Sequence, residues 1–148
     1  MFSKELNIKL DKYHLLNHPF YKSWNDGKLN REIIKDYAEQ YYQHVKAFPR
    51  YISATHSICE DIEKRKILLE NLQDEENAKA DHPKLWKNFA LAMGADNEKI
   101  EDVKRDWFTS DMIDNFFYQA RKSYAEGLAS LYTYERQIPE IAETKIRG

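Results

Sequence analysis

Apolar residues recur at helical spacing along most of this chain, and only four glycines and four prolines interrupt them. That pattern predicts an all-α protein. A first helix is expected over about residues 3–16. "NHPFYKSWNDGKLN" reads as a connection with a short helical piece, closed by the turn signal Asn25-Asp26-Gly27. Asn30 can cap a second helix running to Phe48, kinked or restarted at Pro49 and continuing through Cys59. A third helix covers about 61–76. A fourth opens at His82-Pro83, with proline in its favoured first turn, and ends before Gly94. "GADNEK" is a turn, followed by a short helix, a long one over about 111–137, and a last one opening at Pro139.

Several polar residues fall on the apolar stripes. Phe117, Ala120, Tyr124, Leu128 and Leu131 share one face of the long helix, and Glu135 continues it. A carboxylate there is costly unless paired, protonated or metal-bound; alternatively the helix end frays and Glu135 meets water. On the second helix Ile33, Ile34, Tyr37, Tyr41, His44 and Phe48 point inward together. A hydrogen-bonded core histidine is the commoner reading of His44. Leu68, Leu69 and Leu72 mark the buried side of the third helix, and Glu76 lies nearer the centre of that stripe than Glu75.

His82 follows Glu75 by seven residues, about 10.5 Å along one unbroken helix, too far to share an ion. The residue before a proline avoids the helical region, so His82 sits at a break and can fold back toward the acids. An acid and a histidine so placed can bind a metal. Asp11-x-x-His14 is the nearest approach to a Glu-x-x-His metal pair and is read as solvated. No His-Glu-x-x-His, glycine-rich phosphate loop or Ser/His/Asp arrangement is present.

The chain's 148 residues fit one domain, and its formal charge of −2 argues against a nucleic-acid footprint. The aromatic and basic segment Tyr41–Tyr51 therefore reads as helix core rather than a base-stacking platform. One cysteine, Cys59, precludes a disulfide within the chain and suits the cytoplasm. The N-terminal "MFSKELNIKLDKY" shows no secretory pattern, and no apolar run is long enough to span a membrane.

Taken together, "HPFYKSWNDGKL", "DYAEQYYQHVKAFPRYISATHS", "LLENLQDEENAKADHPKLW" and "YAEGLASLYTYERQIPEIAETKIRG" resemble the family of the chlamydial protein associating with death domains. That family lies in the haem-oxygenase-like superfamily, beside the thiaminase II and pyrroloquinoline-quinone synthase C proteins. The resemblance implies a helical bundle around a non-haem dimetal centre, Fe or Fe/Mn. Its metal ligands would include Glu75 and His82, matched as a pair, and Glu135 in "YERQIP". It thus favours Glu75 where periodicity favours Glu76.

The same resemblance implies oxygen-dependent formation of 4-aminobenzoate for folate synthesis, with O2 as co-substrate. The carbon skeleton would come from the protein's own Tyr21, the nitrogen from its own Lys145, and Tyr37 would be a second tyrosine near the site. From pattern alone, Tyr21 could simply pack with Phe20 and Trp24, and Lys145 could be an ordinary surface lysine. Two other readings stay open: an interaction protein for death domains, and an oxidase acting on an external small molecule. The family's remaining ligands, a histidine, an aspartate and a histidine, fall downstream of "KIRG". The chain then corresponds to the N-terminal two-thirds of the bundle, without its C-terminal helices. On that account Tyr37, Tyr41, Leu128 and Leu131 are expected to be uncovered and to favour a homodimer. No nucleic-acid or membrane partner is expected; entry into a host would need a route without a cleavable signal.

Overall fold

The computed structural model describes residues 2–77 and 81–147, and no strand occurs among them. In chain order the helices are α1 (Phe2–Asp11), α2 (Pro19–Asn25), α3 (Arg31–Ser57), α4 (Ile62–Glu75), α5 (His82–Met93), α6 (Trp107–Lys122), α7 (Tyr124–Glu135) and α8 (Ile138–Arg147). Short 3-10 turns occupy Leu15–Asn17 and Ile100–Asp102.

The boundaries follow local chemistry. Asp61, Asp81 and Asp106 each accept a hydrogen bond from a backbone N–H of the first turn that follows, opening α4, α5 and α6. His18 does the same for α2 through its ring, with Pro19 in the first turn. Gly94 closes α5 at φ 105°, a left-handed conformation that glycine adopts without steric cost.

Three expectations are corrected. The first helix stops at Asp11, and a 3-10 turn takes over residues 15–17. The second is one helix through Pro49 to Ser57. The long helix expected over 111–137 is two, broken at Ser123, whose backbone is extended at φ −159° and ψ 162°. Ser123 Oγ accepts from Glu126 N–H at 3.2 Å and donates to Glu126 Oε2 at 2.6 Å. This variant of the Ser-x-x-Glu capping box starts a new helix where the apolar spacing runs on.

The chain forms two compact units, residues 31–131 and residues 1–30 with 132–148. In the larger unit α4, α5 and α6 all pack on α3. Burial on α3 is therefore wider than one stripe: Ala38, Tyr42, Val45, Phe48, Tyr51 and Ile52 are buried, while Ile33 remains 43% exposed. Each large apolar side chain removed from water in this way contributes about 1.5–3 kcal/mol. Leu68 is buried but Leu69 is exposed, so the apolar side of α4 is narrower than its leucines suggest. Leu131 is buried against expectation, and of the residues expected to be uncovered only Leu128 is exposed; Tyr37 and Tyr41 are half-buried. Gly127 lets α7 approach α3 closely, since a Cβ there would lie 2.6 Å from Thr55 Oγ1. Segment 41–51 lies within α3, largely buried, as expected for core.

In the smaller unit α2 packs on α8, with Tyr21, Trp24, Gln137 and Ile141 buried. Among the described residues no helix is long and apolar enough to cross a membrane.

Candidate functional site

In α8 the apolar positions Ile138 and Ile141 are followed, at the next helical repeat, by Lys145. The lysine therefore lies on the face that buries Ile141. α2 presents Tyr21, only 6% exposed, with Phe20 edge-on to its ring at 5.4 Å. Lys145 Nζ lies 5.7 Å from the centroid of the Tyr21 ring. That is cation–π distance for a protonated amine and lone-pair proximity for a neutral one. Burial disfavours the charged form and lowers the Lys145 amine from 10.5 to about 8. An aromatic ring and an amine with access to its neutral state near physiological pH are thus held together.

The larger unit brings together the second predicted pair. Glu75 ends α4 and His82 begins α5. His82 Nδ1 and Glu75 Oε2 are 2.8 Å apart, although His82 is helical rather than held out of the helix by Pro83: the extended residue at the start of α5 is Asp81, at ψ 138°. Residues 78–80, inside that break, lie outside the described residues. The Glu75 side chain is 12% exposed and that of His82 55%. Glu76 is exposed and closes α4 only through its backbone N–H to Leu72 O. Of the two acids it is Glu75 that meets His82.

One turn after His82, Trp86 donates its indole N–H to Ala38 O at 2.9 Å. Its ring lies 4.7 Å from Tyr41 and 5.9 Å from Tyr37, edge-on to both. Tyr37 is thereby packed against the helix that His82 opens. His44 is fully buried, its Nδ1 3.4 Å from the Tyr51 hydroxyl, and burial pushes its ring down to about 4. It is a neutral core histidine at physiological pH.

Glu135 is the last residue of α7 and half-buried; it belongs to the smaller unit, with Tyr21 and Lys145. Among the described residues no group of three or more histidine, cysteine, aspartate or glutamate side chains is gathered to hold a metal. The Glu75–His82 pair fits a metal by donor chemistry, because carboxylate and imidazole are both common donors to divalent ions, without selecting which ion. By itself it supplies two donors rather than a complete site. A cleft of about 490 Å³ in the larger unit is lined by Lys46, Arg50, Arg105, Asp114 and Phe117 among others, and by none of the predicted site residues.

In the smaller unit His14 was misjudged and Gln137 overlooked from sequence. Asp11 is exposed, as read, and its Oδ1 accepts from Arg136 Nη2 at 2.5 Å; His14, read as solvated, is largely covered, with its Nε2 3.2 Å from Glu140 Oε2. Gln137 is a buried amide whose Oε1 accepts from Leu15 N–H at 2.9 Å. No local pattern marks these bonds, since their partners lie more than 120 residues apart in sequence.

A 4-aminobenzoate synthase of Chlamydia muridarum is 44% identical over 148 residues, covering 99% of this chain and 63% of that protein. A 4-aminobenzoate synthase of Nitrosomonas europaea is 38% identical over 157 residues, covering 99% and 64%. A pyrroloquinoline-quinone synthase of Pseudomonas aeruginosa is 26% identical over 151 residues, covering 98% and 59%. The chain thus spans somewhat less than two-thirds of the length of these relatives. The TENA/THI-4/PQQC family pattern matches residues 4–148, and with this all-helical, haem-oxygenase-like fold the chain belongs to that family.

Proposed function

We propose that this chain carries the tyrosine, the lysine and part of the metal-binding side chains of an oxygen-dependent 4-aminobenzoate synthase that consumes its own residues. The observation that carries the reading is the contact of the Lys145 amine with the buried Tyr21 ring at 5.7 Å. The relatives named 4-aminobenzoate synthase, at 38–44% identity, support it.

The chemistry can be read from the product. 4-Aminobenzoate is a benzene ring with a carboxyl group opposite an amino group. The tyrosine side chain already has a ring bearing a carbon opposite an oxygen. Conversion breaks the Tyr21 Cα–Cβ bond, oxidises Cβ to the carboxyl level and exchanges the ring oxygen for nitrogen, with dioxygen as oxidant. Lys145 supplies that nitrogen: its Cε–Nζ bond breaks, Cε is left oxidised to an aldehyde with dioxygen as oxidant, and water is released. Lowering of its amine to about 8 enlarges the neutral fraction, the form with a lone pair to donate. Burial of Tyr21 keeps water from competing at the ring.

Glu75 and His82 would hold an Fe or Fe/Mn centre together with donors beyond these two, and that centre would supply dioxygen activation when bound; the family resemblance names Glu135 as a further ligand candidate. Tyr37, against Trp86 of α5, is the second tyrosine of this reading. The deciding experiment is mass spectrometry of protein of the relatives' full length after iron, manganese, reductant and oxygen. The expected result is 4-aminobenzoate with matching loss at Tyr21. Undiminished product from Tyr21→Phe would return the enzyme to an external substrate.

A further inference from the structure

We propose that Gln137 and His14 are positioning residues that hold the Lys145 amine against the Tyr21 ring. The inference rests on the reading just given and names the parts of the smaller unit that set its geometry. Gln137 sits between α7 and α8 and uses both ends of its amide. Its Nε2 donates to Thr133 O at 2.9 Å, and its Oε1 accepts from Leu15 N–H at 2.9 Å. One side chain thereby ties the end of α7 and the start of α8 to the 3-10 turn ahead of α2.

His14 makes a second tie beside the first. Its Nδ1 accepts from Leu16 N–H at 3.3 Å, which leaves the ring proton on Nε2, facing Glu140 Oε2 at 3.2 Å. Four residues on, His18 Nδ1 accepts from Phe20 N–H at 3.2 Å, so the 3-10 turn runs directly into the capped start of α2. Tyr21 follows within the first turn of that helix. On the other side α8 starts directly after Gln137, and Lys145 stands about 10 Å along that helix from its first residue, Ile138, so that placement is transmitted stiffly. Both ties therefore act at the near end of the two elements that carry the reacting side chains.

The choice of residue supports a positioning role. A leucine or methionine at 137 would fill similar volume. It would leave the Leu15 N–H without this acceptor and let the turn slide along α8. A buried amide with both ends bonded is costly to misplace and so selects one register. The bonds of Arg136 to Asp11 and of Tyr132 to Asn7 tie α1 to the end of α7, and neither reaches α8.

The test is competitive acetylation of the purified chain with trace acetic anhydride across a pH series, read peptide by peptide. In the wild type, labelling of Lys145 should rise at a lower pH than that of the exposed lysines. Gln137→Met and Glu140→Ala should each raise that midpoint by about one pH unit, as the amine regains water. Glu140→Gln, which keeps an acceptor for His14, should retain the wild-type midpoint. Gly127→Ala, which crowds Thr55 in the larger unit, should lower overall stability without moving it. Circular dichroism identifies folded variants; if Gln137→Met does not fold, Glu140→Ala and His14→Asn decide. Folded variants with the wild-type midpoint would overturn the proposal, as would an equal shift in Gly127→Ala. The 4-aminobenzoate assay is separate: product independent of Lys145 would defeat the functional reading while leaving these midpoints as they are.

Discussion

Tyr21 and Lys145 meet in the smaller unit through a ring and an amine, whereas Glu75 and His82 meet in the larger one through a 2.8 Å hydrogen bond at a half-exposed break. The first pair sits where water is scarce, so its main consequence is a changed protonation equilibrium for the lysine. In the second, water still reaches the histidine, and what is gained is a geometry with two donor atoms side by side. Removal of water tunes reactivity; partial access allows an ion to enter.

The largest effects should come from breaking the first pair. In protein of the relatives' full length, Tyr21→Phe and Lys145→Arg should each abolish 4-aminobenzoate, measured by liquid chromatography. Arginine keeps the charge but provides no neutral amine at any accessible pH.

Breaking the second pair should act on metal rather than on the amine. Glu75→Ala and His82→Ala should each reduce affinity for iron or manganese at least roughly tenfold, because losing one ligand of a shared site loosens the ion. Calorimetric titration checks this. The acetylation midpoint of Lys145 in the same variants should not move, and a shift there would collapse the distinction between the pairs.

A smaller effect concerns stability against pH. The Lys145 amine is lowered from 10.5 to about 8. Below about 8 folded and unfolded chains both hold the proton, and the cost of burying the charge is felt in full. Between about 8 and 10.5 only the unfolded chain is protonated, so stability rises with pH. Lys145→Met should therefore raise the thermal midpoint at pH 7, with the advantage shrinking across that window. A constant difference at all pH values would mean that the amine is not desolvated.

The smallest effect should be the stability cost of Glu75→Gln. With His82 55% exposed, the pair behaves as a surface interaction worth about 0–1 kcal/mol. Urea titration that gave several times this cost would mean the pair is structural, and would weaken its assignment to metal binding.

Much of the frame was legible because its signals are local. Asp61, Asp81, Gly94 and Pro83 lie at the helix ends where capping chemistry places them. The approach of His82 to Glu75 was expected for the wrong reason, since His82 lies within α5 and Asp81 is the extended residue before it. Ser123 was missed, although Ser-Tyr-Ala-Glu is itself a start signal, because unbroken apolar spacing outweighed it. The stripe linking Glu135 to Phe117 therefore ran across two helices and was not a single face. Lys145 was also more legible than it was taken to be, as it continues the Ile138 and Ile141 repeat.

By itself the sequence determined the all-helical class, most of the helix positions and the resemblance that names Tyr21, Lys145, Glu75, His82 and Glu135. These depend on the nature and spacing of residues a few positions apart, and on whole segments compared at once. Only the tertiary structure decided that Lys145 lies over Tyr21, that Glu75 rather than Glu76 receives His82, and that His14 and Gln137 tie one chain segment to another. Those contacts join residues brought near by packing rather than by order along the chain, and whether a lysine is solvated or buried is set by the neighbours the fold assembles around it.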